Sequence, residues 1–209
     1  MKQSFTLAEV LITLGIIGVV AAITMPTIIH NAQMKVHQNQ FKKAYSLLST
    51  AIEKAKYDID TYDIRCSSTN VDECRLFHNA LENNLKIIKK CNGNAYNNGC
   101  IADVKGVNDI KKDVNSSFTE KIGNYGRFHT RYLKDNDYAF VTVNGLTVVY
   151  YERNSRAIYW VDTNGLKGPN KYGYDIFMFG YKSGNKLECV FDGLFEAGGK
   201  SCSYMLTGK

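Results

Sequence analysis

Hydrophobic and polar positions change period several times along the chain. Residues 10–29 carry no charge and are almost uniformly apolar. As a helix such a run is about 30 Å long, near the hydrocarbon thickness of a bilayer. From 30 to 58 the pattern turns amphipathic. Phe41, Ala44, Tyr45, Leu48, Ala51, Ile52 and Ala55 recur at helical spacing. Gln38, Lys42, Lys43, Ser46, Ser49, Lys54 and Lys56 fall off that stripe. A one-sided stripe predicts packing against a globular domain. After a polar connection at 59–70, residues 71–90 read as a second helix, with Leu76, Phe77, Ala80, Leu81, Leu85 and Ile88 on one side. Residues 91–113 are loop-like and rich in Asn and Gly. Strand patterns cluster later. Tyr138–Val143 meets Leu146–Tyr151 across Asn144-Gly145, the strongest short hairpin signal. Ala157–Val161, Ile176–Tyr181 and Leu187–Phe191 add three more runs. The expected class is α+β: a long N-terminal helix on an antiparallel sheet of about four to five strands.

The apolar run has a distinctive start. Glu9 is a carboxylate at its very edge, and charge inside a membrane span costs about 2.5–3.5 kcal/mol at the helix centre. A secretory signal peptide would have a shorter apolar stretch and a small-residue cleavage site, for which Val20-Ala21-Ala22 is the best match. A plain anchor is the other simple reading. Neither gives Glu9 a purpose. The stretch Ser4-Phe5-Thr6-Leu7-Ala8-Glu9-Val10-Leu11 resembles the prepilin cleavage and methylation site of type IV pilins and type II secretion pseudopilins. Counting from Phe5, Glu9 is fifth and Pro26 is twenty-second, the positions that family favours. Ser4 stands where the family usually has Gly.

The resemblance covers about the first 30 residues. It implies a leader at 1–4, a transmembrane and filament-core helix at 5–29, its amphipathic continuation at 30–58, and a globular pilin-like domain at 59–209. A prepilin peptidase would cut between Ser4 and Phe5 and methylate Phe5. It also implies that Glu9 pairs with the terminal amine of a neighbouring subunit. In a low-dielectric filament core such a pair mainly enforces register, because removing one partner strands the other charge. Gly15, Gly18 and Pro26 are weak points for a long helix, where the family's helices can partly unwind on assembly.

Composition sharpens the picture. The slightly negative mean hydropathy averages the apolar run with a polar remainder that holds nearly all the charge. The formal charge of +6 is not that of a dedicated nucleic-acid binder, so nucleic acid is not an expected partner. Six Cys lie beyond the apolar run, at 66, 74, 91, 100, 189 and 202. Spacing favours local pairs Cys66–Cys74, Cys91–Cys100 and Cys189–Cys202, although six Cys allow 15 connectivities. Behind an export segment, disulfides are a better reading than zinc, for which C-x-x-C and clustered His are missing. A disulfide-bounded C-terminal loop recurs in pilins, so by resemblance Cys189–Cys202 carries the most weight.

Signals for catalysis are negative. His30, His37, His78 and His129 are scattered, and no nucleophile elbow, Walker or dinucleotide fingerprint occurs. The expectation is that the chain is not an enzyme and needs no cofactor. One stretch concentrates oxygen ligands: Asp162, Asn164, Asn170 and Asp175 in a turn with Gly165, Gly168 and Gly173. Hard cations take such oxygens, and several pseudopilins carry calcium in a comparable loop. Asp162, Asn164 and Asp175 are therefore candidate calcium ligands. The favoured alternative is a structural turn, since Asp, Asn, Gly and Pro all build turns by themselves.

The resemblance implies a structural subunit in the bacterial cytoplasmic membrane, its C-terminal domain outside the cytoplasm, that assembles into a pseudopilus or pilus. Expected partners are the prepilin peptidase, other pilin or pseudopilin subunits, and the secretion or pilus assembly machinery. A type II secretion pseudopilin is preferred because of the Asp162–Asp175 loop. A type IV pilin for adhesion, motility or DNA uptake is the alternative. A membrane-anchored extracytoplasmic binding protein or enzyme is the reading from another class.

Overall fold

The computed structural model describes residues 6–61, 71–105, 138–153, 156–181, 186–190 and 199–208. The chain divides into two compact units, Met1–His37 and Gln38–Lys209. One helix, α1 (Leu7–Asp58, 52 residues), contributes to both. It continues through Pro26 without a break in helical structure. Its apolar N-terminal segment is long and apolar enough to cross a membrane. Leu11, Ile12, Ile16, Ile17, Val19 and Ile23 are all exposed there. The hydroxyls of Thr13 and Thr24 turn inward, donating to the Val10 and Val20 carbonyls at 2.9 Å. That leaves the segment's surface almost free of polar groups in need of water.

The second unit is a six-stranded antiparallel meander, with strand order identical to chain order. The strands are β1 (Ile87–Asn92), β2 (Tyr138–Thr142), β3 (Thr147–Arg153), β4 (Arg156–Asp162), β5 (Ile176–Tyr181) and β6 (Leu187–Cys189). Five fall on the expected strand runs. The sixth, β1, corrects the expectation of helix over 71–90 and loop beyond it. Helix α2 (Val71–Asn84) stops at Asn84, and Ile87–Asn92 pairs with β2. The β-branched Ile87 and Ile88 favour this conformation. Exposed Lys89 and Lys90 suit an edge strand, since lysines discourage edge-to-edge pairing. Consequently Ile88 is exposed, and so is Leu76, which α2 turns to solvent. Phe77, Ala80, Leu81 and Leu85 are buried as their spacing predicts.

Alternation along the strands builds two cores, one on each sheet face. Phe140, Val148, Tyr159, Val161, Phe177 and Phe179 occupy one face. The α1 stripe packs there: the Phe41 ring meets Phe177 edge-on at 4.6 Å and Phe179 at 5.6 Å. The Tyr45 ring is tilted against Phe179 at 5.6 Å, and its hydroxyl donates to the Leu187 carbonyl at 2.8 Å. Lys56, expected off the stripe, is buried and pairs with Glu53 at 3.0 Å. Its aliphatic stem lies in the core while the ammonium meets a carboxylate. The helix ends in a paired turn: Asp60 adopts φ 51°, and the amides of Asp60 and Thr61 return to the carbonyls of Tyr57 and Lys56.

The opposite face holds Ala139, Val149, Trp160, Ile176 and Met178, covered by Ala95, Ile101 and Val104 of the segment after β1. The Cys91–Cys100 disulfide, with Cα atoms 6.3 Å apart, ties that segment to its strand. A second disulfide, Cys189–Cys202 at 5.7 Å, joins β6 to a short C-terminal helix, α3 (Cys202–Thr207). Sequence pattern left α3 unassigned, although its signals are present. Ser201 accepts from the Tyr204 amide at 2.8 Å, and Gly208 closes the other end at φ 79°. Cys74 is disulfide-bonded, while Cys66 lies outside the described residues.

Candidate functional site

Two places carry the residues singled out by sequence. The first is the start of α1. Ser4 and Phe5 lie outside the described residues. Glu9 occupies the first turn, and its Oε2 accepts from the Thr6 amide at 2.9 Å and from the Thr6 hydroxyl at 2.8 Å. The Glu9 amide in turn donates to Thr6 Oγ1 at 3.3 Å. Thr6-Leu7-Ala8-Glu9 is thus a capping box, in which two helix-end donors are satisfied reciprocally. Glu9 therefore has a local task, which the T-x-x-E spacing encodes and the motif reading overlooked. Both bonds fall on one oxygen, so Oε1 still has lone pairs for a further cation. Pro26 lies within α1, where its ring nitrogen cannot donate to the Ala22 carbonyl. A Cβ added at Gly15 or Gly18 would meet nothing within 4 Å.

The second place is the loop between β4 and β5. It departs from Asp162 at the end of β4 and returns through Asp175 to Ile176. Asp175 is fully buried, and its two oxygens accept from the amides of Asn170 and Lys171, both at 2.8 Å. Its carbonyl receives the Thr163 amide at 2.8 Å, closing the loop's base. Asp162 Oδ1 accepts from the Asn164 amide at 3.1 Å. Burial first, and then the nearby Asp175 carboxylate, push the Asp162 carboxyl up to about 8, against the backbone N–H groups of Asn164 and Gly165. The Asn164 side chain donates to the Gly168 carbonyl at 3.2 Å. The Asn170 amide, with its nitrogen inward, donates to the carbonyls of Lys167 and Gly165 at 3.0 and 3.1 Å. Asn170, Gly165 and Gly173 all have positive φ.

Gly165 is required for a second reason. A Cβ there would stand 2.5 Å from the Gly145 carbonyl oxygen. Gly145 closes the β2–β3 hairpin, donating its amide to the Thr142 carbonyl at 2.9 Å with φ 78°. The hairpin is a three-residue turn over Val143-Asn144-Gly145, with the Gly at the left-handed position. So the Asp162–Asp175 loop and the hairpin tip seat on one another through two glycines.

The predicted ligands Asp162, Asn164 and Asp175 are thus brought together in one loop. Their arrangement is that of a hydrogen-bonded turn, with both Asp175 oxygens already used by amides. Among the described residues no group of three His, Cys, Asp or Glu side chains is placed to hold a metal. Beneath Asp162, between Thr147, Trp160 and Ile176, lies a cavity of about 10 Å³, the size of one water and too small for a hydrated cation. As arranged, Asp162 Oδ1 and both Asp175 oxygens serve backbone amides of the loop itself.

Comparison with known protein families, with curated proteins and with solved structures returns no match.

Proposed function

We propose that the chain is a structural subunit of a pilus-like filament, processed by a prepilin peptidase and assembled through α1. The observation that carries the reading is Glu9 at the head of an uncharged run, in register with Phe5 and Pro26, on a single helix of 52 residues. A simple anchor needs Glu9 only to cap the helix and has no further use for its Oε1. A filament subunit does, because the amine of a neighbouring chain can sit against Oε1 while Thr6 holds Oε2. Further support comes from the amphipathic second half of α1, whose Phe41 and Tyr45 pack on β5, and from the disulfide that bounds the C-terminal segment. Within this class the type II secretion pseudopilin is preferred, on the likeness of the Asp162–Asp175 loop. The protein's work is then mechanical: no step of bond making belongs to it beyond its own maturation.

Glu9→Val tests the assembly role. The variant should reach the membrane with its second unit folded and protease-resistant, yet yield few filaments in a shearing assay. Normal filament yield from Glu9→Val would remove Glu9 from the mechanism.

A further inference from the structure

Two hydrogen-bond donors converge on one sulfur of the second unit. Cys74, on α2, is disulfide-bonded. The other four described cysteines pair with one another, so within the chain Cys66 is left as its partner. The Tyr150 hydroxyl, on β3, lies 3.0 Å from Cys74 Sγ. Nδ1 of His78, one turn further along α2, lies 3.6 Å from the same atom. A disulfide sulfur carries no hydrogen, so both contacts are donated to it: Tyr150 gives its O–H and His78 its Nδ1–H. The other ring nitrogen of His78, Nε2, is buried without a partner, so no competing bond sets the tautomer. The remaining disulfides are built differently. Cys91 Sγ faces the Asn98 carbonyl at 3.7 Å, an acceptor that repels a negative sulfur. Burial does not separate the bonds, because Cys74, Cys91, Cys100 and Cys202 are all buried. The pair of donors does.

We propose that the bond at Cys74 is a redox-responsive site, opened by a dithiol reductant with Cys74 as the leaving thiolate. Cys74 is only 5% exposed, so attack falls on the other sulfur of the bond. A thiolate of the reductant attacks Cys66 Sγ and forms a mixed disulfide with it. The bond to Cys74 breaks, and its electron pair leaves on Cys74 Sγ. The reductant's second thiolate then attacks its own sulfur in the mixed disulfide and releases Cys66. The reductant ends as a disulfide, and its two thiol protons pass to the two cysteines. Tyr150 and His78 act on the first step. Their bonds to a neutral sulfur are weak, whereas bonds to a developing thiolate are charge-assisted and roughly twice as strong. Burial by itself would raise the Cys74 thiol, and the two donors oppose that. A better leaving thiolate departs faster. The inference stands independently of the filament reading, because it uses only residues of the second unit.

Full-length protein in detergent micelles is exposed to dithiothreitol, and samples are quenched in acid over time. Thiols are alkylated after unfolding, so burial does not bias the count, and peptide mass spectrometry reads each cysteine. Cys74 should become a thiol at least about tenfold faster than Cys91, Cys100, Cys189 or Cys202. A monothiol, glutathione, should be trapped as a mixed disulfide on Cys66 and not on Cys74. Tyr150→Phe removes one donor and keeps the ring, and should slow the opening at Cys74 by about threefold or more. His78→Phe should act in the same direction. A merely loosened fold would do the opposite, since it speeds reduction, and the other two disulfides, opening as in the native chain, report that the fold is kept. Opening at Cys74 no faster than at the other bonds, glutathione captured on Cys74, or an unchanged or faster opening in both variants would each overturn the proposal.

Discussion

At the residue scale, two side chains and one missing side chain show how local chemistry shapes the second unit. Gly165 sits at φ 67° with the Gly145 carbonyl 2.5 Å from where a Cβ would stand. Neither chain can move away without breaking a turn, so Gly165→Ala should lower stability by about 2–3 kcal/mol, read as a shift in urea midpoint at constant slope. An unchanged midpoint would mean that the two loops are not seated as described. His78 tests burial in another way. Its ring lies 3.7 Å from that of Tyr150, its Nδ1 is 3.6 Å from Cys74 Sγ, and its Nε2 is buried without a partner. Burial pulls its pKa down to about 4. The folded state therefore binds fewer protons than the unfolded state between about 4 and 6.5. Stability is full above that window and falls as pH drops through it, by up to about 3 kcal/mol. His78→Gln should flatten that limb of the pH–stability curve; an equally steep limb in the variant would assign the loss to other groups. Asp175, by contrast, was visible in sequence only by type, as a turn former or a ligand. Its actual work, receiving two amides of its own loop, depends on a chain reversal that residue spacing does not encode.

At the element scale, legibility followed the strength of the periodic signal. The five aromatic and β-branched runs became β2 to β6, and in β2, β4 and β5 residues on both sheet faces are buried. The α1 stripe was equally clear, with Phe41, Leu48, Ile52 and Ala55 fully buried. β1 was masked because Leu81, Leu85 and Ile88 happen to sit at helical intervals, while its own strand carries two lysines on a solvent edge. What made it a strand is pairing with β2, a contact nearly fifty residues away in sequence. α3 was hidden by its length: six residues give too few turns for a period, and a disulfide and two caps hold it instead. The loop between β4 and β5 was legible as a turn rich in oxygen ligands, and its partition between metal and hydrogen bonds was not. The internal bonding of Asp175 and Asn170 makes the loop self-sufficient. Adding calcium up to millimolar concentration should leave the thermal midpoint of the folded protein unchanged, whereas a saturable rise would establish a cation site there.

At the scale of the whole molecule, the two units answer to different solvents. The first exposes apolar side chains along its helix, and Thr13, Thr24 and the Thr6–Glu9 box turn their polar groups onto the helix itself. The second closes two hydrophobic cores around one sheet and secures its edges with disulfides at Cys91–Cys100 and Cys189–Cys202. On the proposed filament reading, such a chain would wait in a membrane and then exchange lipid for the helices of other subunits. In the proposed mechanism that exchange would depend on a free amine at Phe5, four residues ahead of Glu9. The most direct test is mass spectrometry of the N-terminal peptide, isolated from cells that contain a prepilin peptidase. The account predicts a chain that begins at Phe5 with one added methyl group on its amine. A chain that begins near Ala22, or one that retains Met1, would contradict it.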